Sequence, residues 1–131
     1  MMLLTPLFAA ILGLMYIYLS LQVVKIRFSH RISMGVGENR GLEKAVRIHA
    51  NFAEYVPMTL ILLWFVETML MSQGIVLVAG TLLIIARVMH VIGMAKPREW
   101  LILRQLGVVI SLSIIGFLAV YLLYWYMPFS L

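Results

Sequence analysis

The chain has 131 residues, of which 64% are apolar and only 11% charged, with a mean hydropathy of +1.07. A soluble domain carries about a quarter of its residues as charges, so this composition excludes a water-soluble protein and defines an integral membrane protein. The formal charge of +5 comes from basic residues that flank apolar runs without forming a polar tract, which excludes nucleic acid as a partner and fits a membrane surface or an anionic ligand.

Residues 1 to 24 carry no charge, and Leu3 to Val24 extends about 33 Å as a helix, enough to cross a hydrocarbon layer. This first span is too long for a signal-peptide core and lacks a basic start and a small-residue cleavage site, so it is expected to be retained. The stretch "MSQGI" at 71 to 75 is a turn signal through Ser72, Gln73 and Gly74, and it separates two less pure apolar segments. Residues 105 to 131 are again free of charge, with "YLLYWYMPF" as an aromatic belt at the far end. The expectation is an all-α membrane bundle of four transmembrane helices. No internal repeat, low-complexity tract or linker divides it, so residues 1–131 read as one domain. In so short a chain, a sizeable pocket needs walls from more than one subunit.

All ten basic residues fall in two places: Lys25, Arg27, Arg31, Arg40, Lys44 and Arg47 around the first loop, and Arg87, Lys96, Arg98 and Arg104 around the third. The second loop and both termini have none. Under the positive-inside rule, loops one and three face the cytoplasm and both termini face the opposite side.

Within this frame the stretch "RIHANFAEY" at 47 to 55 is out of place. The charge-free run Tyr55 to Val66 is too short to span by itself, so Asn51 and Glu54 enter the membrane region. Glu54 lies about 20 Å of helix from Glu67, and Arg87 about 22 Å from Ser72, so Glu54 and Arg87 are expected at similar depth and able to pair. A charge at such depth costs ~2.5 to 3.5 kcal/mol on insertion scales and is expected to face protein or a wet cavity. Arg47, Asn51, Glu54 and Tyr55 follow one another at i, i+4, i+7 and i+8 and share a helix face, with His49 displaced toward a neighbouring one. Arg87, His90 and Met94 repeat i, i+3, i+7 on the third helix. Together the two faces can line a polar pocket open to the cytoplasm, with Pro57 placed to kink helix two beside it.

The segment "LEKAVRIHANFAEYVP" resembles the signature of the MAPEG family, the membrane-associated proteins in eicosanoid and glutathione metabolism. The family pattern E-x-x-x-R-x-[HQ]-x-N-x-x-E is met by Glu43, Arg47, His49, Asn51 and Glu54. The likeness extends to "ARVMHVIGM" and the four-span layout, and is greatest to small bacterial members of unassigned function. The resemblance implies a homotrimer in a bacterial inner membrane, holding glutathione as co-substrate on the cytoplasmic side between subunits. It also implies that Arg47, Asn51, Glu54 and Tyr55 bind glutathione, with Arg87, His49 and His90 at the site, and that an arginine at the start of helix four stabilises the thiolate. That arginine corresponds best to Arg104, with Arg98 and Lys96 as alternatives. Guanidiniums for two carboxylates and a glutamate for the ammonium suit this ligand. With no cysteine in the chain, disulfides and thiolate metal sites are excluded, and any thiol chemistry must use a ligand's thiol. Such a thiol titrates near 8.5, and each unit of depression requires ~1.4 kcal/mol. Where eicosanoid-active members place tyrosines on helix three, this chain has His90 and Met94.

The function implied is a glutathione-dependent transferase or peroxidase acting on a lipophilic electrophile or hydroperoxide. The alternative is a non-catalytic lipid-binding or scaffold protein of the same fold. A small multidrug-type transporter is disfavoured because residues 1 to 24 hold no carboxylate. Simpler roles compete at each position. Lys25, Arg27, Arg31 and Arg40 read as snorkelling cations, Glu54 and Arg87 as a structural ion pair, and His90 as an interior histidine. Ser111 and Ser113 read as interhelical hydrogen bonders, Tyr121, Tyr124, Trp125 and Tyr126 as belt residues, and the ten methionines as soft packing. No His, Asp and Glu cluster has metal spacing.

Overall fold

The computed structural model describes residues 2–70, 72–96, 98 and 100–127. They form four helices, α1 (Thr5–His30), α2 (Arg40–Leu70), α3 (Gln73–Ala95) and α4 (Leu101–Tyr126), with no strand among the described residues. All four are long and apolar enough to cross a membrane. The expected four-helix membrane bundle is therefore the observed fold. The part of the last expected span beyond Met127 lies outside the described residues.

Local chemistry sets the helix ends. Pro6 sits in the first turn of α1, where its missing N–H removes no intrahelical bond. At the other end α1 runs past the last apolar residue of its span to His30 and stops at Arg31, whose left-handed backbone (φ 52°) directs its N–H to the carbonyls of Arg27 and Phe28. Loop one then folds back, with Gly35 and Gly37 at positive φ and Arg27 Nη1 donating to the Gly35 carbonyl at 2.8 Å. Asn39 Oδ1 accepts the Leu42 N–H at 2.8 Å and caps α2. Helix α2 continues through Pro57 as one helix.

Helices α2 and α3 form the middle of the bundle. Helix α1 packs on both, α4 packs on both from the other side, and α1 and α4 make no contact among the described residues. Leu12, Leu63, Val66, Val76, Leu83 and Leu118 fill the core. Between apolar helices in lipid there is little hydrophobic drive, so close packing has to hold them, and small residues permit it. Gly107 on α4 faces α3 so closely that a Cβ there would come within 2.6 Å of the Ala86 carbonyl oxygen and 2.8 Å of His90 Cβ. A Cβ on Gly93 would come within 2.7 Å of the Arg104 backbone nitrogen. These two glycines bring α3 and α4 nearly into backbone contact at the end where the basic residues lie.

Candidate functional site

The polar residues gather in layers across the bundle. In the inner layer Arg87, 1% exposed, reaches from α3 to both neighbours. Its Nη1 donates to Asn51 Oδ1 on α2 at 2.8 Å, and its Nη2 donates to the Gly107 carbonyl at 2.7 Å and to Ser111 Oγ at 2.5 Å on α4. Ser111 donates in turn to the same Gly107 carbonyl at 2.8 Å. The guanidinium carbon stands 5.4 Å from the centre of the Tyr55 ring, within cation–π range. Arg87 thus joins three helices, while its Nε is a buried donor with no partner among the described residues.

One turn nearer the basic end lies a second layer. His90, buried, sits on α3 against Gly107 and within electrostatic range of both Arg87 and Arg104. Arg104 occupies the first turn of α4, half-buried, with its backbone N–H donating to the Trp100 carbonyl at 3.1 Å. The other two candidates for the thiol contact are placed differently. The Lys96 ammonium lies over the Trp100 ring, 3.3 Å from its centroid, and Arg98 is exposed in the connection before α4. Of the three, Arg104 is the one that stands in a helix and near His90.

On α2, Arg47 and Glu54 are exposed while Asn51 and Tyr55 are half-buried, and the helix is continuous through them, so their spacing keeps them on one side of it. Arg47 pairs with Glu43 one turn away, at 3.1 Å. An exposed pair of this kind contributes ~0 to 1 kcal/mol, so a ligand carboxylate can replace it. The expected pairing of Glu54 with Arg87 is not made, because Arg87 turns inward to Asn51 and α4 while Glu54 points out of the chain. Glu54 has no hydrogen bond or ion pair among the described residues. Its depth is nevertheless that of the bilayer, since it lies about 24 Å of helix from the far end of α2, short of a hydrocarbon thickness of ~30 Å.

Two residues stand apart from this face. His49 turns toward α1, where its Nε2 meets Ser20 Oγ at 2.9 Å and its ring lies 4.9 Å from that of Tyr16. Because Ser20 already donates to the Tyr16 carbonyl, His49 is the donor in this pair and Nδ1 remains its acceptor. Met94 is buried among apolar neighbours in the core.

Sequence reasoning missed Glu67, which it used only as a depth mark. Its carboxylate is fully buried and accepts the backbone N–H groups of Leu4 and of Thr5, the latter at 2.8 Å. It caps the N-terminus of α1 from the end of α2, where the helix dipole favours a negative charge. Ser111 is the interhelical hydrogen bonder expected, but that its partner is Arg87, and that the Gly107 carbonyl joins them, was missed. The signal for this contact is the small i, i+4 pair Gly107 and Ser111, which marks a close-packed helix face. No group of three or more potential metal ligands exists among the described residues.

Four membrane-length helices with a polar cluster built into the faces of the inner pair define a multi-pass membrane protein with buried polar side chains inside its bundle. The chain belongs to the MAPEG family, whose sequence profile matches residues 5–124. Among relatives, the inner membrane protein YecN of Escherichia coli K12 is 33% identical over 89 residues, which cover 68% of either chain. YecN of Escherichia coli O6:H1 matches to the same extent. No solved structure matches the chain.

Proposed function

We propose that this protein is a glutathione-dependent transferase or peroxidase of the inner membrane, assembled as a homotrimer with its site between copies and its basic loops in the cytoplasm. The observation that carries this reading is Glu54, a carboxylate at bilayer depth that is exposed and has no partner among the described residues, beside Asn51, Tyr55 and Arg47. An isolated charge facing lipid is costly, so a neighbouring copy and a polar ligand are the natural company for it.

In this reading Glu54 receives the ammonium of glutathione and Arg47 exchanges Glu43 for a glutathione carboxylate. Asn51 and Tyr55, held by Arg87, form the floor, and Arg104 stabilises the thiolate. With an alkyl or aryl electrophile, the sulfur lone pair forms the C–S bond while the leaving group departs with its electron pair. With a hydroperoxide, the sulfur takes the terminal oxygen as the O–O bond breaks and the alcohol leaves. A second glutathione then converts the sulfenic acid to disulfide and water.

The test is turnover: purified protein is assayed with glutathione against lipophilic electrophiles and hydroperoxides. Thioether or disulfide formation above the uncatalysed rate, lost in Arg104→Leu, is the expected result. Tight glutathione binding without turnover of any member overturns the catalytic part and leaves the lipid-binding or scaffold alternative.

A further inference from the structure

Reduction of a hydroperoxide needs a proton that substitution at a halide does not. When a thiolate takes the terminal oxygen, the O–O bond breaks and the other oxygen departs as an alkoxide, which requires a proton to leave as the alcohol. A halide leaves as a stable anion. A site in open water draws that proton from solvent, but Tyr55 lies about 22 Å of helix from the far end of α2, inside a hydrocarbon thickness of ~30 Å. At this depth a donor on the protein takes the place of bulk water.

Few side chains at this level can give a proton. Arg47, Arg87 and Arg104 are guanidiniums, which do not deprotonate in proteins. Glu54 receives an ammonium only as a carboxylate. His49 is turned to Ser20 on α1, His90 is 3% exposed and packed against Gly107, and Ser111 already donates to the Gly107 carbonyl. Tyr55 is the only tyrosine of α2 and α3. It follows Glu54 directly and stands one turn from Asn51, half-buried, and its hydroxyl has no hydrogen-bond partner among the described residues. The guanidinium carbon of Arg87 packs 5.4 Å from the ring centre, and Arg87 is itself fixed by its bonds to Asn51, Gly107 and Ser111. A phenolate left at Tyr55 stays within electrostatic range of that cation.

We propose that Tyr55 is the general acid of hydroperoxide reduction, a role that rests on the glutathione-dependent function proposed above and adds a second catalytic residue to Arg104. The thiolate sulfur bonds to the terminal oxygen, the O–O electron pair goes to the other oxygen, and that oxygen takes the Tyr55 proton. The products are the sulfenic acid, the alcohol and the Tyr55 phenolate. The thiol of the second glutathione returns a proton to the phenolate, and its thiolate attacks the sulfenic sulfur to form the disulfide. The hydroxide expelled becomes water with the proton that the first thiol released. Transfer to a halide bypasses Tyr55.

Purified wild type and Tyr55→Phe are assayed at saturating glutathione against cumene hydroperoxide, by disulfide formation, and against chlorodinitrobenzene, by thioether formation. Loss of a contact to glutathione slows both reactions alike, so the ratio of peroxidase to transferase kcat is the readout. General acids contribute 10²–10⁴-fold, and the ratio is expected to fall at least tenfold. Tyr55→Met also lacks the hydroxyl and serves if the phenylalanine variant does not fold. An unchanged ratio overturns the inference, whether both activities persist or both fall together, since the latter marks support of the thiolate. Wild type that turns over the halide but no hydroperoxide also overturns it and leaves the transferase reading standing, whereas turnover of neither removes the proposed function and the role of Tyr55 with it.

Discussion

Arg87→Ala is the perturbation for which the structure gives the clearest magnitude. The guanidinium is 1% exposed and makes three charge-assisted hydrogen bonds, to Asn51, Gly107 and Ser111. Such bonds contribute ~1.5 to 3 kcal/mol each in isolation, but they share one side chain and are not additive. Of the groups left behind, Gly107 keeps its bond from Ser111, whereas Asn51 loses its partner and a cavity opens between three helices. The vacated space costs ~2 to 5 kcal/mol, as in other large-to-small buried changes, and the unpaired Asn51 ~1 to 3 kcal/mol, partly offset because the desolvation of the buried cation is relieved, so a net destabilisation of ~2 to 4 kcal/mol is expected. Equilibrium unfolding in mixed micelles, followed by circular dichroism, measures it. A double-mutant cycle with Asn51→Ala should return a coupling of ~1.5 to 3 kcal/mol. A loss within ~1 kcal/mol of wild type, or an additive cycle, would refute the view that Arg87 ties α2, α3 and α4 together.

Other expectations follow from the same contacts. Glu67→Ala should cost ~1 to 3 kcal/mol and speed hydrogen exchange at Leu4 and Thr5 while leaving α3 and α4 protected, because it uncaps α1. Gly107→Ala places a methyl against the Ala86 carbonyl and His90, so it should destabilise by ~1 to 3 kcal/mol and separate α3 from α4, measurable by spin-label distances. Arg104→Leu should abolish the ultraviolet thiolate absorbance of bound glutathione without abolishing binding, and an unaltered spectrum moves the thiol contact elsewhere. The chain has no cysteine, so single Ser33→Cys and Ser72→Cys variants report sidedness directly. In intact cells an impermeant maleimide should label Ser72→Cys and spare Ser33→Cys, and the opposite pattern would reverse the topology.

The spans were legible because charges and apolar runs alternate so sharply, and because Ser72 to Gly74 mark the one turn without a basic residue. The α2 pattern was legible for a similar reason: polar residues at i, i+4, i+7 and i+8 stand out in an otherwise apolar membrane helix. What the residues could not reveal were contacts chosen between distant segments. Glu54 and Arg87 share a depth, yet depth does not say which way a side chain turns, and Arg87 found better-placed acceptors on α4 than a carboxylate on the outer face of α2. Glu67 had no visible partner, since its acceptor role answers backbone N–H groups at the other end of the chain rather than a side chain of opposite charge. His49 lies within the signature, but its ring belongs to the α1 contact, a choice made by Ser20 and Tyr16 and not by spacing along α2.

Calorimetric titration of glutathione into the purified protein, with Glu54→Gln alongside, tests the central claim most directly. Binding to the wild type, weakened at least tenfold in Glu54→Gln with fold and oligomeric mass unchanged, is the result expected of a membrane-embedded carboxylate that receives the ammonium. Equal heats from both proteins, or none from the wild type, would contradict it.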